Sequence, residues 1–280
     1  MKPVENTPVE IHSIGSIPVW VKREDLAAVS PAPPFSKIRG LYTHLTKLKA
    51  RGIKTIGYVE TSISMAGWGA AWCCEDLGLK AVLFDPQYKE TPKLLNFHRK
   101  QWKMFSPDII PIPAGRARIN YYVGRKLLMD RYGPHAVMLD LGLPLKETVA
   151  ETAAEWRRTI PELPSQPGSI VINVGSGTIC AGIVRGWRKG EGKIIGVMGR
   201  SGNVRAKTKS IRRRAQRLLN GLLGVPFQLE DPGWEYTEKS RFRTPFPCHP
   251  YYDKKAWEWL EKHIEEVPQP VLFWNIGRMR

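Results

Sequence analysis

The sequence predicts an α/β fold with largely parallel sheets, on three observations. Short β-branched runs alternate with helix-period segments almost from end to end, the pattern of βαβ units. The 280 residues are 42% hydrophobic, enough to bury one substantial core or two modest ones. Neither a repeat of fixed period nor a low-complexity tract interrupts the alternation.

Taken in order, strands are expected at 18–22, 55–59, 81–84, 109–112, 136–139, 169–174, 194–198 and 271–274, where β-branched and aromatic residues cluster. Helices are expected between them, at 36–50, 64–77, 92–102, 117–131, 145–159, 178–188, 205–223 and 254–265. The proline-rich stretch 161–168 is one that no helix can cross, and it reads as a connection between lobes. Residues 226–250 are rich in Pro, Gly and aromatics without a clean period, so they read as a long irregular segment lying over the core.

Composition narrows the function classes. No apolar run is long enough to span a bilayer and the first residues lack a secretory leader pattern, so a cytoplasmic protein, of a cell or an infected host cell, is expected, with no membrane partner. The four cysteines make neither a disulfide framework nor a CxxC pair, and the six histidines lack HxxxH spacing, so no metal is expected. The formal charge of +17 exceeds what solubility requires. Much of it is local: Arg200, Arg205, Lys207, Lys209, Arg212, Arg213, Arg214 and Arg217 lie in one stretch without an acidic residue. That stretch suits a solvated helix face or contact with a polyanion, nucleic acid first among them.

Two constellations could carry chemistry. In the first, the apolar run 171–174 enters Gly175-Ser176-Gly177-Thr178 and then a helix. Glycines let the backbone approach an oxyanion, N–H groups at a helix start point at it, and Ser176 and Thr178 add hydroxyls, so this turn suits phosphate. A tight strand-to-helix turn without ligand has the same residues. In the second, Lys22-Arg23-Glu24-Asp25-Leu26 is followed by Ser36-Lys37-Ile38-Arg39. A lysine in the first turn of a helix is disfavoured by the macrodipole, and burial there would lower its pKa and favour imine formation with an aldehyde.

These motifs, in this order and spacing, resemble the fold-type-II (tryptophan-synthase-β-like) enzymes that use pyridoxal 5′-phosphate (PLP), and look most like 1-aminocyclopropane-1-carboxylate deaminase and D-cysteine desulfhydrase. The resemblance extends over most of the chain, through Pro113-Ala114-Gly115, His249-Pro250-Tyr251-Tyr252-Asp253 and Val271–Asn275 with Ile276 and Gly277. It implies two lobes with mostly parallel sheets flanked by helices, a large cofactor lobe of 1–50 and 140–280 and a small lobe of 51–139. It implies PLP as cofactor, Lys37 as the Schiff-base lysine and 175–178 as the phosphate cradle. Asp253 would face the pyridine nitrogen, and Tyr252 would stack on the ring or serve as acid or base. Asp253 also stands where an N-cap would precede the last helix. A homodimer is a further implication.

Two positions depart from the family. Where the family places an asparagine for the cofactor's 3-hydroxyl, after the second expected strand, Thr61-Ser62-Ile63-Ser64-Met65 puts Met65, which cannot donate that bond. Asn173 and Asn275 are candidates to supply the amide. Thr61, Ser62 and Ser64 remain the expected substrate contacts. Near the C-terminus Ile276 replaces an expected threonine. Loss of carboxylate grip with retention of an electron sink suits a PLP lyase that removes CO₂, and the charge suits an amino acid attached to nucleic acid, with Arg205, Lys207, Lys209, Arg212, Arg213 and Arg214 on its phosphates. Viral DNA-modification systems in which PLP enzymes trim amino acids appended to thymine are similar in kind. Deamination, elimination or racemisation of a free amino acid, and a non-catalytic PLP or nucleic-acid-binding protein, are the other readings.

Overall fold

The computed structural model describes residues 2–61, 63–216 and 225–279. They form two compact units: the larger holds Pro3–Val29, Pro34–Gly40 and Leu145–Arg280, the smaller Ser30–Pro33 and Leu41–Pro144.

The larger unit is built on six strands: β1 (Val9–Ile14), β2 (Ile17–Arg23), β7 (Ser169–Val174), β8 (Lys193–Met198), β9 (Phe227–Glu230) and β10 (Val271–Asn275), in the order β1-β2-β10-β7-β8-β9. Only β1 runs antiparallel to its neighbour. Strand alternation explains why both faces are buried: Ile170, Ile172 and Val174 face the layer of α5 (Lys146–Thr159), α6 (Thr178–Gly186) and α7 (Val204–Gln216). Val171, Val197 and Phe273 face α8 (Asp253–His263) through Trp257 and Leu260. The α5–α6 crossing is close because Gly182 and Gly186 lie against Thr152 and Trp156; a Cβ at Gly182 would stand 2.4 Å from the Thr152 Cβ.

The smaller unit carries β3 (Thr55–Val59), β4 (Lys80–Gln87), β5 (Asp108–Pro113) and β6 (Ala136–Met138), all parallel in the order β5-β4-β3-β6. With them run α2 (Ala66–Leu77), α3 (Lys93–Lys103) and α4 (Ala117–Tyr132). Its core joins Val59, Val82, Phe84, Ile112 and Leu128. The helix α1 (Ile38–Ala50) passes from one unit to the other.

Three expectations are corrected. Strand β1 was not expected, because Glu10, His12 and Ser13 dilute an edge strand that needs to bury little. The segment 226–250 is not wholly irregular, since β9 opens it and pairs with β8. The stretch 161–168 lies inside the larger unit, between α5 and β7, rather than between units. The expected helix 205–223 is observed as α7, and its last residues fall outside the described ones.

Candidate functional site

The site grows from the carboxyl ends of parallel strands, where such sheets place their ligands. Strand β7 ends at Val174 and the chain turns through Gly175, Ser176 and Gly177 into α6. Gly177 caps α6 with φ of +82°, a left-handed conformation that favours glycine, and a Cβ there would meet Ile211 at 2.7 Å. A Cβ on Gly175 would meet nothing within 4 Å, so that side of the turn is open. The Ser176 and Thr178 hydroxyls lie 2.9 Å apart.

Lys37 reaches this turn, donating from Nζ to the Ser176 Oγ at 3.0 Å. It lies in the turn just before α1 rather than inside the helix. Burial, then the charges of Arg214 and Lys207, lowers its pKa to about 7. Both cations come from α7 and hold the turn by its carbonyls: Lys207 Nζ donates to Gly175 O at 2.8 Å and Arg214 to Ser176 O. This corrects the reading of α7 as a uniform phosphate-contacting run, because its periodicity turns Lys207 and Arg214 inward while Arg205, Lys209, Arg212 and Arg213 stay exposed.

The loop that carries Lys37 is held from both sides. Upstream, Ser36 N donates to Ile276 O at 2.9 Å and Phe35 bridges Gly277. Downstream, the Arg39 guanidinium donates twice to Glu24, at 2.6 and 2.7 Å, within a buried cluster where Lys22 pairs with Glu155 at 2.8 Å. Burial opposes ionisation of Glu155, but Arg39 and Lys22 hold its carboxyl well below the usual range. The Lys22-Arg23-Glu24-Asp25 motif is thus a clamp: Arg23 and Asp25 form a second pair, to which Asn275 Nδ2 donates at 2.9 Å.

Asp253 is fully buried at the first position of α8, so it is the helix's first residue and not its N-cap. Its Oδ1 accepts from Ile276 N at 2.9 Å, while the buried Oδ2 has no hydrogen-bond partner. Burial above all, with Asp25 adding, raises its pKa well above the carboxylate range. The Tyr252 ring stacks on His249 with centroids 4.3 Å apart, and its carbonyl accepts from Asn173 Nδ2 at 2.9 Å. Of the two candidate amides, Asn275 is committed to Asp25 and Pro247, whereas Asn173 keeps a buried Oδ1 without a hydrogen bond.

The smaller unit holds the other expected residues. Ser64 Oγ accepts from Ala66 N at 3.1 Å and Met65 is buried as the cap of α2. Thr61 has a buried hydroxyl without a hydrogen bond, and Ser62 lies outside the described residues. Sequence reading missed Glu60, whose buried Oε1 also has no hydrogen-bond partner. Burial raises it to about 8 against the opposing amides of Thr61 and Gly67. The signal was faint: one acid directly after the apolar strand β3.

Among the described residues, no helix is long and apolar enough to cross a membrane. Comparison with known proteins follows the same lines. Residues 2–239 match the family model described as pyridoxal-phosphate dependent enzyme. A protein of Pseudomonas phage M6 called glycyl-dTMP PLP-dependent decarboxylase is 38% identical over 98% of this chain and 99% of its own. An ACC deaminase homologue superposes with a TM-score of 0.82 at 20% identity, over 99% of this chain and 92% of its own. A hydrogen sulfide-producing enzyme from Fusobacterium nucleatum gives 0.69 at 12% identity, over 98% and 96%. At those identities the two structures speak for the α/β fold alone, whereas the family match spans most of the chain. The chain belongs to the pyridoxal-phosphate dependent enzymes of fold type II.

Proposed function

We propose that the protein is a PLP-dependent decarboxylase whose substrate is a glycyl group carried on thymidylate. The observation that carries this reading is the likeness, along nearly the full length of both chains, to the phage glycyl-dTMP decarboxylase. The chemistry of the larger unit fits the cofactor. Lys37, lowered to about 7, would hold the aldehyde carbon through Nζ. The open side of Gly175 and the start of α6, with Lys207 and Arg214 behind it, would hold the phosphate. The orphaned Oδ2 of Asp253 would meet the pyridine nitrogen, whose proton restores the missing hydrogen bond and offsets the cost of burying the charge.

PLP, when bound, supplies an electron sink for the pair left at Cα as the bond to the carboxylate carbon breaks. The chain's own residues do the rest. Asp253, kept from water, favours the protonated ring nitrogen only while that partner is present, because burial alone raises its pKa. Lys37, balanced between its two protonation states near neutrality, donates a proton to Cα in place of the departed CO₂. Met65, where the family has an asparagine for the cofactor's 3-hydroxyl, offers no donor for that bond, which leaves the ring's protonation to Asp253.

The test is incubation of the PLP-loaded protein with glycyl-dTMP, following CO₂ and ammonia together. Release of CO₂ in amounts matching the nucleotide consumed is expected, with none from Lys37→Ala. Ammonia released while the carboxylate is retained would overturn the reading in favour of a deaminase.

A further inference from the structure

The outer face of α7 is costly as it stands. Arg205 and Lys209, and Lys209 and Arg213, are like charges four residues apart, and each such pair destabilises an isolated helix. Arg205 also sits in the first turn, where the macrodipole disfavours a cation. All four side chains of Arg205, Lys209, Arg212 and Arg213 are exposed, and among the described residues none of them pairs with a carboxylate. Contact with an anion would relieve this face.

The extent of the face indicates which anion. Arg205 to Arg213 spans about 12 Å of helix axis at 1.5 Å per residue. Over that length a DNA duplex presents about seven phosphate charges, one per 1.7 Å. A single nucleotide monophosphate brings about two, too few to meet four cations spread along the stripe. The same helix presents Lys207 and Arg214, on its other side, to the Gly175–Ser176 carbonyls beside Lys37. A polymer lying along the outer face therefore passes about one helix diameter, 10–12 Å, from the turn that would hold the cofactor phosphate.

We propose that Arg205, Lys209, Arg212 and Arg213 form a docking face for the phosphate backbone of double-stranded DNA, so that the enzyme takes its glycyl thymidylate within the polymer. This rests on the reading that the glycyl group is carried on thymidylate. The contact is to phosphates and is independent of base sequence.

The experiment measures binding of the PLP-loaded protein to an unmodified DNA duplex of roughly 20 base pairs across a salt series. Changing the four residues together to Gln is expected to weaken binding at least about tenfold and to make the slope of log K against log salt shallower by about 3 to 4. The borohydride-reducible cofactor band should persist, as the fold control. Lys209→Glu alone, at one exposed position, should flatten the slope by about 1 or more. Replacing the three arginines by Lys should keep the slope. An unchanged slope in both the fourfold variant and Lys209→Glu overturns the proposal, as does binding of duplex RNA with no affinity for DNA. If the wild type binds DNA through these residues yet frees no CO₂ from glycyl-dTMP, the decarboxylase reading fails and the docking face stands. If CO₂ is freed from the nucleotide while DNA affinity is absent, the face fails and the reading stands.

Discussion

Lys37 shows how a side chain acquires reactivity from its surroundings. An ordinary lysine, at 10.5, is about one part in 3,000 neutral at pH 7, whereas at about 7 roughly half is neutral and nucleophilic. Burial contributes most, and the cations Arg214 and Lys207 add to it because each disfavours a second positive charge nearby. The sign is therefore fixed: the neutral amine gains population as pH rises through about 7, and removing a neighbouring cation moves that midpoint up. The rate at which apo-protein captures PLP, followed by absorbance, should rise through a midpoint near pH 7 and level off, and Lys207→Gln should shift the midpoint to higher pH. A rate that climbs steadily to pH 10 in both proteins would show that Lys37 is an ordinary surface amine. The structure sets the Lys37 Nζ against Ser176. The lysine was singled out in the sequence by its Ser-Lys-Ile-Arg context. Its neighbours were not, because whether Lys207 and Arg214 face in or out depends on how α7 is rotated against the turn, and a run of cations carries no such phase. Glu60 was hidden for the same reason: nothing in one acid after an apolar strand says that the fold will bury it.

At the scale of elements, the sequence pattern located eight of the ten strands, seven of them to within a residue at each end, among them 55–59, 169–174 and 271–274 against Thr55–Val59, Ser169–Val174 and Val271–Asn275. These three are buried on both faces, and continuous apolar runs identify such strands. The two missed strands are at the edges of the six-stranded sheet, where exposure relaxes the pattern. The clamp that holds Lys37 was legible only as a motif. Its physical content is a buried network in which Arg39 meets Glu24 and, at 3.7 Å, Glu155. Arg39→Met should cost roughly 3–5 kcal/mol in urea unfolding, because it leaves Glu24 buried without its cation. A loss below about 1 kcal/mol would mean that the network relaxes and that Lys37 is held by the Ile276 and Gly277 backbone alone.

For the whole molecule, charge is the property that fold alone does not require. A net charge of +17 works against compaction, and the acid-free stretch from Arg200 onward concentrates it beside the turn that reads as a phosphate cradle. One helix thus turns two cations to the Gly175 and Ser176 carbonyls and four to the solvent, which under the proposed reading would link the cofactor site to a polymeric substrate through one element. The family and its cofactor were legible from motif order. The proposed substrate was approached in the sequence only through a pairing of two anomalies, Met65 in place of an amide donor and the excess of cations. The most direct test follows the carbon that loses its carboxylate. Turnover of glycyl-dTMP in deuterium oxide by the PLP-loaded protein should give, by mass spectrometry, a nucleotide that has lost CO₂ and carries a single solvent deuterium at that carbon, and Lys37→Ala should give neither. A product that keeps its carboxylate, or a labelled, decarboxylated product from Lys37→Ala, would contradict the account.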